Sequence, residues 1–536
     1  MLMKYNSLIS FKGVGVIAKL QKESLFFGIL LVVFSGYFIY WGFGYILEGT
    51  SFIFLLAALF GIFMAFNIGG NDVANSFGTS VGAKTLTIKQ ALIVAAVFEV
   101  SGAMIAGGEV TKTIRKGIVD LSSLSIDVHQ FIAIMMSALL AAAIWLLFAS
   151  KRGLPVSTTH SIIGGIVGSS IAMGVFIGGS ASAFELVHWD KIMMIALSWV
   201  ISPILGGLMA YVIFWIIKRK IIDYNEGAEE ALKLLKKEKK ELKSNSKSRL
   251  SEMQEQDRLC ELSLMAMDAE AKEEEDCSAN EVESYYYKEL ELIHKKKEML
   301  RPYKAMELYL PFIAGFGAVV ITGLVIFKGI KHMHVGLSGI QNFLIIAMVA
   351  TLIYLATFVY SRSLKGKSLK TATFLTFSWL QVFTASAFAF SHGSNDIANA
   401  IGPFAAVLDA LRTGDTGASA PVPPVVMLTF GVALVAGLWF IGKEVIETVG
   451  TKLTHIFPAS GFAAELGASS VILLASELGI PVSSTHILIG AILGIGLVNA
   501  QTNWKLMQPI AMAWIITLPA AGVMSSIILY VLLKLI

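Results

Sequence analysis

The sequence predicts an all-α, polytopic membrane protein made of two inverted-topology repeats, with broken helices or re-entrant hairpins and roughly 12–13 membrane segments. Three observations carry that prediction. The chain is 55% hydrophobic and only 15% charged, with a mean hydropathy of +0.72, outside the range of soluble domains. Charge is concentrated: residues 218–304 hold 19 Lys+Arg and 21 Asp+Glu, half of the 42 basic and 38 acidic side chains. Finally, two motifs each occur twice, in the same order. Gly69-Gly70-Asn71-Asp72-Val73-Ala74-Asn75-Ser76 returns as Gly393-Ser394-Asn395-Asp396-Ile397-Ala398-Asn399-Ala400, 324 positions on. Leu154-Pro155-Val156-Ser157-Thr158-Thr159-His160 returns as Ile480-Pro481-Val482-Ser483-Ser484-Thr485-His486, 326 positions on.

Taken in order, residues 1–50 carry Lys4, Lys12, Lys19 and Lys22 before an apolar run over 24–47. That run is too long for a signal-peptide core and shows no small-residue cleavage site, so it predicts an additional, retained transmembrane helix behind a cytoplasmic N-terminus. Residues 51–217 form the first transport repeat, with apolar runs near 52–68, 91–106, 130–149, 161–179 and 191–217. Several are broken by Gly or Pro after too few residues to span a bilayer, and the breaks gather at the two motifs. Residues 218–304, rich in Lys and Glu, predict a solvated, helical cytoplasmic linker, read as a spacer with a regulatory or partner-binding arm as the alternative. Both cysteines, Cys260 and Cys277, lie there, which fits a reducing compartment and no disulfide framework.

Residues 305–371 supply connecting transmembrane helices, and 372–536 the second transport repeat. Arg362, Lys365, Lys367 and Lys370 place the loop before the second motif in the cytoplasm, so the two motif helices enter from opposite sides. Lys112, Arg115 and Lys116 contradict that parity and are accepted as an exception. The net charge of +4 is too small and spread out to imply a nucleic-acid partner. The partners expected are the lipid bilayer and the transported ions, with self-association left open. With a short N-terminus and no transit peptide, the membrane expected is a bacterial inner membrane.

The repeated Asn-Asp pairs place carboxylates where apolar helices break. Asn71, Asp72, Asn395 and Asp396 are hard oxygen ligands suited to Na⁺, whose charge would make a buried aspartate tolerable. The alternative is that each Asp only caps the helix beginning at Ala74 or Ala398. In the second motif, proline suits a first helical turn. Ser157, Thr158 and Thr159, or Ser483, Ser484 and Thr485, then present hydroxyls and backbone N–H groups at a positive helix end, where a tetrahedral oxyanion fits. Capping without a ligand is again the alternative. His160 and His486 read as packed, hydrogen-bonding residues.

Other intramembrane acids are not repeated. Glu99 and Glu465 lack counterparts, Leu139 standing opposite Glu465, and His392 corresponds to Ile68. The halves therefore share the anion task but divide the cation or proton task unequally. Glu109 and Glu444 do repeat and read as helix-end residues. Gly78 to Thr85 nearly spells a phosphate-binding P-loop, but Ala83 occupies a required glycine and no βαβ pattern surrounds it.

At these residues the chain resembles the inorganic phosphate transporter (PiT) family, whose signature is similar to Gly-Ala-Asn-Asp-Val-Ala-Asn-Ala and occurs once per half. The likeness covers about 51–217 and 305–534 and extends through Asn75 to Gly82 and Thr113 to Ile118. It implies an all-helical symporter of inorganic phosphate with a cation, in which the signature aspartates and the acids matching Glu99 and Glu465 act in transport. The Pro-Val-Ser-x-Thr-His elements would line the phosphate site. Gly70 and Ser394 replace the usual alanine, a change of small for small. Proton-coupled bacterial members tend to carry His-Asp where this chain has Asn71-Asp72, so the resemblance favours sodium.

The function expected is Na⁺-coupled symport of inorganic phosphate by alternating access, with Na⁺ as the coupling ion, no other cofactor and no catalytic residues. Asn71, Asp72, Asn395, Asp396, Glu99 and Glu465 form the expected Na⁺ set. Ser157, Thr158, Thr159, Ser483, Ser484, Thr485, Asn75 and Asn399 form the phosphate set. The alternatives are a proton-coupled phosphate or sulfate permease of the same fold, an intramembrane serine hydrolase using Ser157 or Ser484 with a nearby histidine, and an anion channel. No oxyanion-hole sequence supports the hydrolase.

Overall fold

The computed structural model describes residues 3–121, 124, 126–273, 282–326, 338–417, 420–452 and 455–536, the side chains of 3–22, Asn75 and a few others excepted. Among them, 12 helices are long and apolar enough to cross a membrane, and Ser484–Asn499 is a shorter apolar helix. The described residues divide into two compact units. The larger comprises Met1–Trp215, Gly317–Val349 and Phe377–Ile536; the smaller comprises Ile216–Phe316 and Ala350–Thr376.

In the larger unit, α1 (Met3–Phe43) packs along α17 (Pro424–Ile441) and the first motif helix, α2 (Ser51–Ile68). Phe38 of α1 is fully buried, its ring 5.8 Å from Phe54 and 5.6 Å from Phe404, so the additional helix is docked by aromatic packing. The sequence led us to expect a break at the first motif. Instead α2 runs on through one wide, π-type turn at Gly69–Val73 into α3 (Ala74–Gly82). A π-bulge tilts successive side chains without ending the helix, and such bulges favour functional positions. The second motif does break its helix: α15 (Leu369–Asn395) stops, Asp396 and Ile397 form a turn, and α16 (Ala398–Thr413) begins.

The Pro-Val-Ser elements form the tips of two helical hairpins. One joins α7 (Val128–Lys151) to α8 (Thr158–Gly178), the other α19 (Pro458–Glu477) to α20 (Ser484–Asn499). Local chemistry explains where these helices start. Asp127 and Gln130 make a reciprocal capping box at α7, and Pro458 occupies the first turn of α19. The Ser157 and Ser483 side chains accept the His160 and His486 backbone N–H groups at 3.1 and 3.2 Å, capping α8 and α20.

Glycines lock the motif helices together across the halves. A Cβ on Gly69 would run into the Leu434 carbonyl, and one on Gly437 into the Phe66 carbonyl, where α2 meets α17. Likewise a Cβ on Gly393 would strike the Glu99 carbonyl, and one on Gly102 the Phe390 carbonyl, where α15 meets the wide turn Ala95–Glu99 and α5 (Val100–Ala106). The two crossings use equivalent positions, so each half supplies one motif helix and one partner helix to the other. Gly78-to-Thr85, the near P-loop, lies in α3 and the turn after it, with Gly82 against Gly450.

α6 (Gly108–Lys116) and α18 (Lys443–Glu447) carry Glu109 and Glu444 in their first turns, as helix-end residues. Arg115 is buried in an ion pair with Asp409 and donates to the Ala420 carbonyl at 2.8 Å, while Lys116 donates to Gly417. Two of the three cations that broke the loop-charge parity are thus engaged within the fold, which removes much of their weight as topology signals.

The smaller unit holds the charged segment, whose described residues are largely helical: α10 (Asp223–Glu252), α11 (Glu255–Glu273) and α12 (Tyr285–Met299); Cys277 lies outside the described residues. Lys296 pairs with Glu238 at 2.6 Å, tying α12 to α10. Asn225 donates to Thr373 at 2.8 Å, and the Lys370 N–H donates to Glu229 at 3.1 Å.

Candidate functional site

The two signatures and the two hairpin tips meet in the core of the larger unit, where Asn71, Asp72, Asn395, Asp396 and Asn399 are buried. The asparagines brace hairpins of their own half. Asn71 donates to Ser150 Oγ and the Leu154 carbonyl, both at 3.0 Å, and accepts from the Val156 N–H at 3.0 Å. Asn395 donates to the equivalent Ser476 Oγ and Ile480 carbonyl, at 3.2 and 3.3 Å, but its Oδ1 has no donor. Ser150 and Ser476 are missed by the motif reading, although they repeat at the hairpin offset of 326 and could have been found from it.

Each aspartate meets a threonine of the opposite half, and Asp72 one of its own half as well. Thr485 Oγ1 donates to Asp72 Oδ1 at 2.7 Å, and Thr158 donates to Asp72 Oδ2. Thr159 Oγ1, the counterpart of Thr485, lies 3.4 Å from Asp396 Oδ1 and donates to the Val482 carbonyl at 2.8 Å. Thr485 returns that contact to the Val156 carbonyl at 3.3 Å. Asn399 Nδ2 joins the sides, donating to Thr158 at 3.1 Å, Thr159 at 3.2 Å and Asp396 at 3.4 Å. The Asn75 side chain lies outside the described residues. Two helix N-termini, α8 and α20, therefore converge beside two carboxylates.

The unrepeated acids take different places. Glu99, at the end of the wide turn before α5, meets His392 Nδ1 at 2.6 Å, and His392 Nε2 lies 3.0 Å from Asp396 Oδ2. One imidazole is thus sandwiched between two buried carboxylates. Motif comparison marks His392 only as an asymmetry; its i, i+4 spacing to Asp396, just past the end of α15, is the available signal. Glu465 is not in this group. It accepts from Thr79 at 2.7 Å, Ser80, Gln381 at 3.1 Å and Thr384 at 2.7 Å, a separate nest of neutral donors.

Ligand atoms of Asp72, His392 and Asp396 all lie within 4.8 Å of one another. Glu99 Oε1, Asn395 Oδ1 and Asn399 Oδ1 are buried without a hydrogen-bond donor. Unpaired buried oxygens of this kind suit a hard cation. Ser484 Oγ is also buried without a partner, whereas Ser157 and Ser483 are engaged as caps. His160 and His486 pack ring to ring at 4.5 Å, flanked by Trp199 at 3.8 Å and Trp514 at 3.9 Å, in keeping with their reading as packed residues.

The model of the phosphate transporter family, PHO4, matches residues 68–525. A candidate phosphate permease of Mycobacterium bovis is 55% identical over 504 residues, covering 94% of this chain and 91% of its own length. A counterpart in Pyrococcus furiosus is 35% identical over 489 residues, covering 90% of this chain and 97% of its own. The solved structure titled "The sodium-dependent phosphate transporter" superposes with a TM-score of 0.68 at 29% identity, covering 90% of this chain and 99% of that one. Transporters of this kind are not enzymes, which sets aside the serine-hydrolase alternative. With its 12 apolar spans, this chain is an integral membrane protein belonging to the phosphate transporter family.

Proposed function

We propose that the protein carries inorganic phosphate into the cell by Na⁺-coupled symport, with alternating access between two inverted halves. The observation that carries this reading is the reciprocal engagement of the halves: Thr485 on Asp72, Thr159 beside Asp396, with the N-termini of α8 and α20 converging there. Secondary transporters built from inverted repeats hold their ligands at such a junction of interrupted helices. The 29%-identical structural neighbour is titled a sodium-dependent phosphate transporter, which supports both the anion and the cation.

In this reading Ser157, Thr158, Thr159, Ser483, Ser484 and Thr485, with Asn75 and Asn399, receive the phosphate. Asp72 and Asp396, with Asn71, Asn395, Glu99 and Glu465, serve Na⁺. The donorless oxygens of Glu99, Asn395 and Asn399 support a cation on the Asp396 side, whereas Glu465, already holding four donors, would serve a second and separate position. Coupling follows from charge: phosphate beside two ionised aspartates is repelled until a cation neutralises them. The membrane would be a bacterial inner membrane, with the 218–304 segment cytoplasmic.

Proton coupling is the second reading, favoured by the Glu99–His392–Asp396 chain, which could hold and pass a proton without Na⁺. Uptake of radiolabelled phosphate into proteoliposomes separates the two. The expected outcome is accumulation driven by an inward Na⁺ gradient. Uptake indifferent to Na⁺ but driven by a proton gradient would overturn the coupling, and sulfate uptake undiminished by excess phosphate would overturn the substrate.

A further inference from the structure

A cavity of ≈ 600 Å³ in the smaller unit lies beside the ends of two apolar spans. One wall is the turn before the span Ala305–Leu324, with Arg301 and Lys304; the other is the end of α14 (Gly339–Ser363), with Tyr354 and Phe358, and the turn after it, with Lys365. The cavity's one acidic lining residue, Glu307, is already held by Lys365 at 2.5 Å and Arg362 at 3.9 Å. Neither Arg301 nor Lys304 meets a carboxylate among the described residues. The local balance is therefore positive, with two cations that meet no carboxylate beside the ends of two apolar spans.

The site is built rigidly. Arg301 holds a left-handed backbone at φ +40, which an L side chain rarely adopts. The Tyr224 hydroxyl donates to the Leu300 and Arg301 carbonyls at 3.2 and 3.0 Å, and the Lys304 N–H closes the turn onto Arg301 at 2.9 Å. Tyr303 donates to the Lys365 carbonyl, joining the two walls. From the cavity an apolar strip continues along the spans: Leu308 is 50% exposed, Phe312 68% and Leu355 52%. A free anion needs only the cations; a headgroup with acyl chains needs both features.

We propose that this cavity binds the phosphate of an anionic phospholipid, with its acyl chains along the Leu308, Phe312 and Leu355 strip. Basic pockets at span ends that capture anionic headgroups follow from the same electrostatics. The test uses purified full-length protein in neutral detergent, titrated separately with phosphatidylglycerol, phosphatidylcholine and inorganic phosphate, with binding followed by native mass spectrometry. Phosphatidylglycerol should bind in preference to phosphatidylcholine. The double variant Arg301→Gln, Lys304→Gln should weaken that binding on the order of tenfold, while Arg301→Lys, Lys304→Arg retains it. Lys239→Gln, Lys243→Gln, with the same charge change on α10, should leave it intact and controls for net charge. Equal binding of the two lipids, or full phosphatidylglycerol binding in the double Gln variant, overturns the proposal. So does inorganic phosphate displacing the lipid at equal concentration, which would make this a free-anion site.

Discussion

Thr485 and Asp72, 413 positions apart, share a 2.7 Å hydrogen bond that ties the second hairpin tip to the first signature. A hydrogen bond to a charged group contributes about 1.5–3 kcal/mol. Thr485→Val should therefore lower phosphate uptake by roughly tenfold or more, and Asp72→Asn should abolish it while the protein remains folded. Uptake assays paired with size-exclusion profiles check this. Normal uptake in a folded Asp72→Asn variant would reduce the residue to a helix cap.

The His392 ring between Glu99 and Asp396 makes a coupled triad. His392→Gln leaves two buried carboxylates without their shared partner, and breaking such a pair costs about 3–5 kcal/mol. The double variant Glu99→Gln, His392→Gln removes charge on both sides and should regain much of the lost thermal stability. Additive losses in a thermal-unfolding double-mutant cycle would show that the pair is not coupled.

The glycine crossings predict steep size sensitivity. Gly69→Ala and Gly437→Ala place a methyl group against a backbone carbonyl, and overpacking of this kind costs about 1–3 kcal/mol. Gly227, in α10, has nothing within 4 Å of its would-be Cβ, so Gly227→Ala should slow exchange of the surrounding amides, by about 0.5–1 kcal/mol. Thermal melts for the first pair and hydrogen exchange for the second decide the matter. An unperturbed Gly437→Ala variant would contradict the tight crossing.

Asp268 gives the charged arm a pH response. Burial raises its pKa, but the Ser284 hydroxyl, the Glu283 and Ser284 N–H groups and nearby Lys288 outweigh burial and hold the carboxyl below its usual value. A depressed folded pKa means that the stabilisation is complete above the unfolded value, about 3.9, and is lost as pH falls through the folded one. Amides at the start of α12 should lose protection, after correction for intrinsic exchange, only below about pH 4. In Asp268→Asn they should be weakly protected at every pH. Loss of protection at pH 6 in the unaltered protein would contradict the assignment.

Most of the architecture was legible because it is repeated. Two copies of a motif fix equivalent positions, and Pro-Val-Ser at each hairpin tip signals a helix start whatever surrounds it. What escaped depends on contacts between distant residues. The Gly69-Gly70 pair reads as a helix break, yet the helix persists because those glycines let α17 approach, and α17 begins more than 350 positions later. Glu99 and Glu465 look alike as lone acids in apolar runs, but one faces an imidazole and the other four neutral donors. Nothing local to either tells them apart. The Arg115–Asp409 pair likewise explains a charge that loop counting could only treat as an exception.

The crossings at Gly69–Gly437 and Gly102–Gly393 also bear on how the two halves assemble. Each motif helix is completed by a helix of the other half, and each aspartate lies against a threonine of the other half. A lone half would expose the carbonyl grooves that its twin now fills. Expressed as separate chains, the two halves would have to associate before either could seat its motif helix.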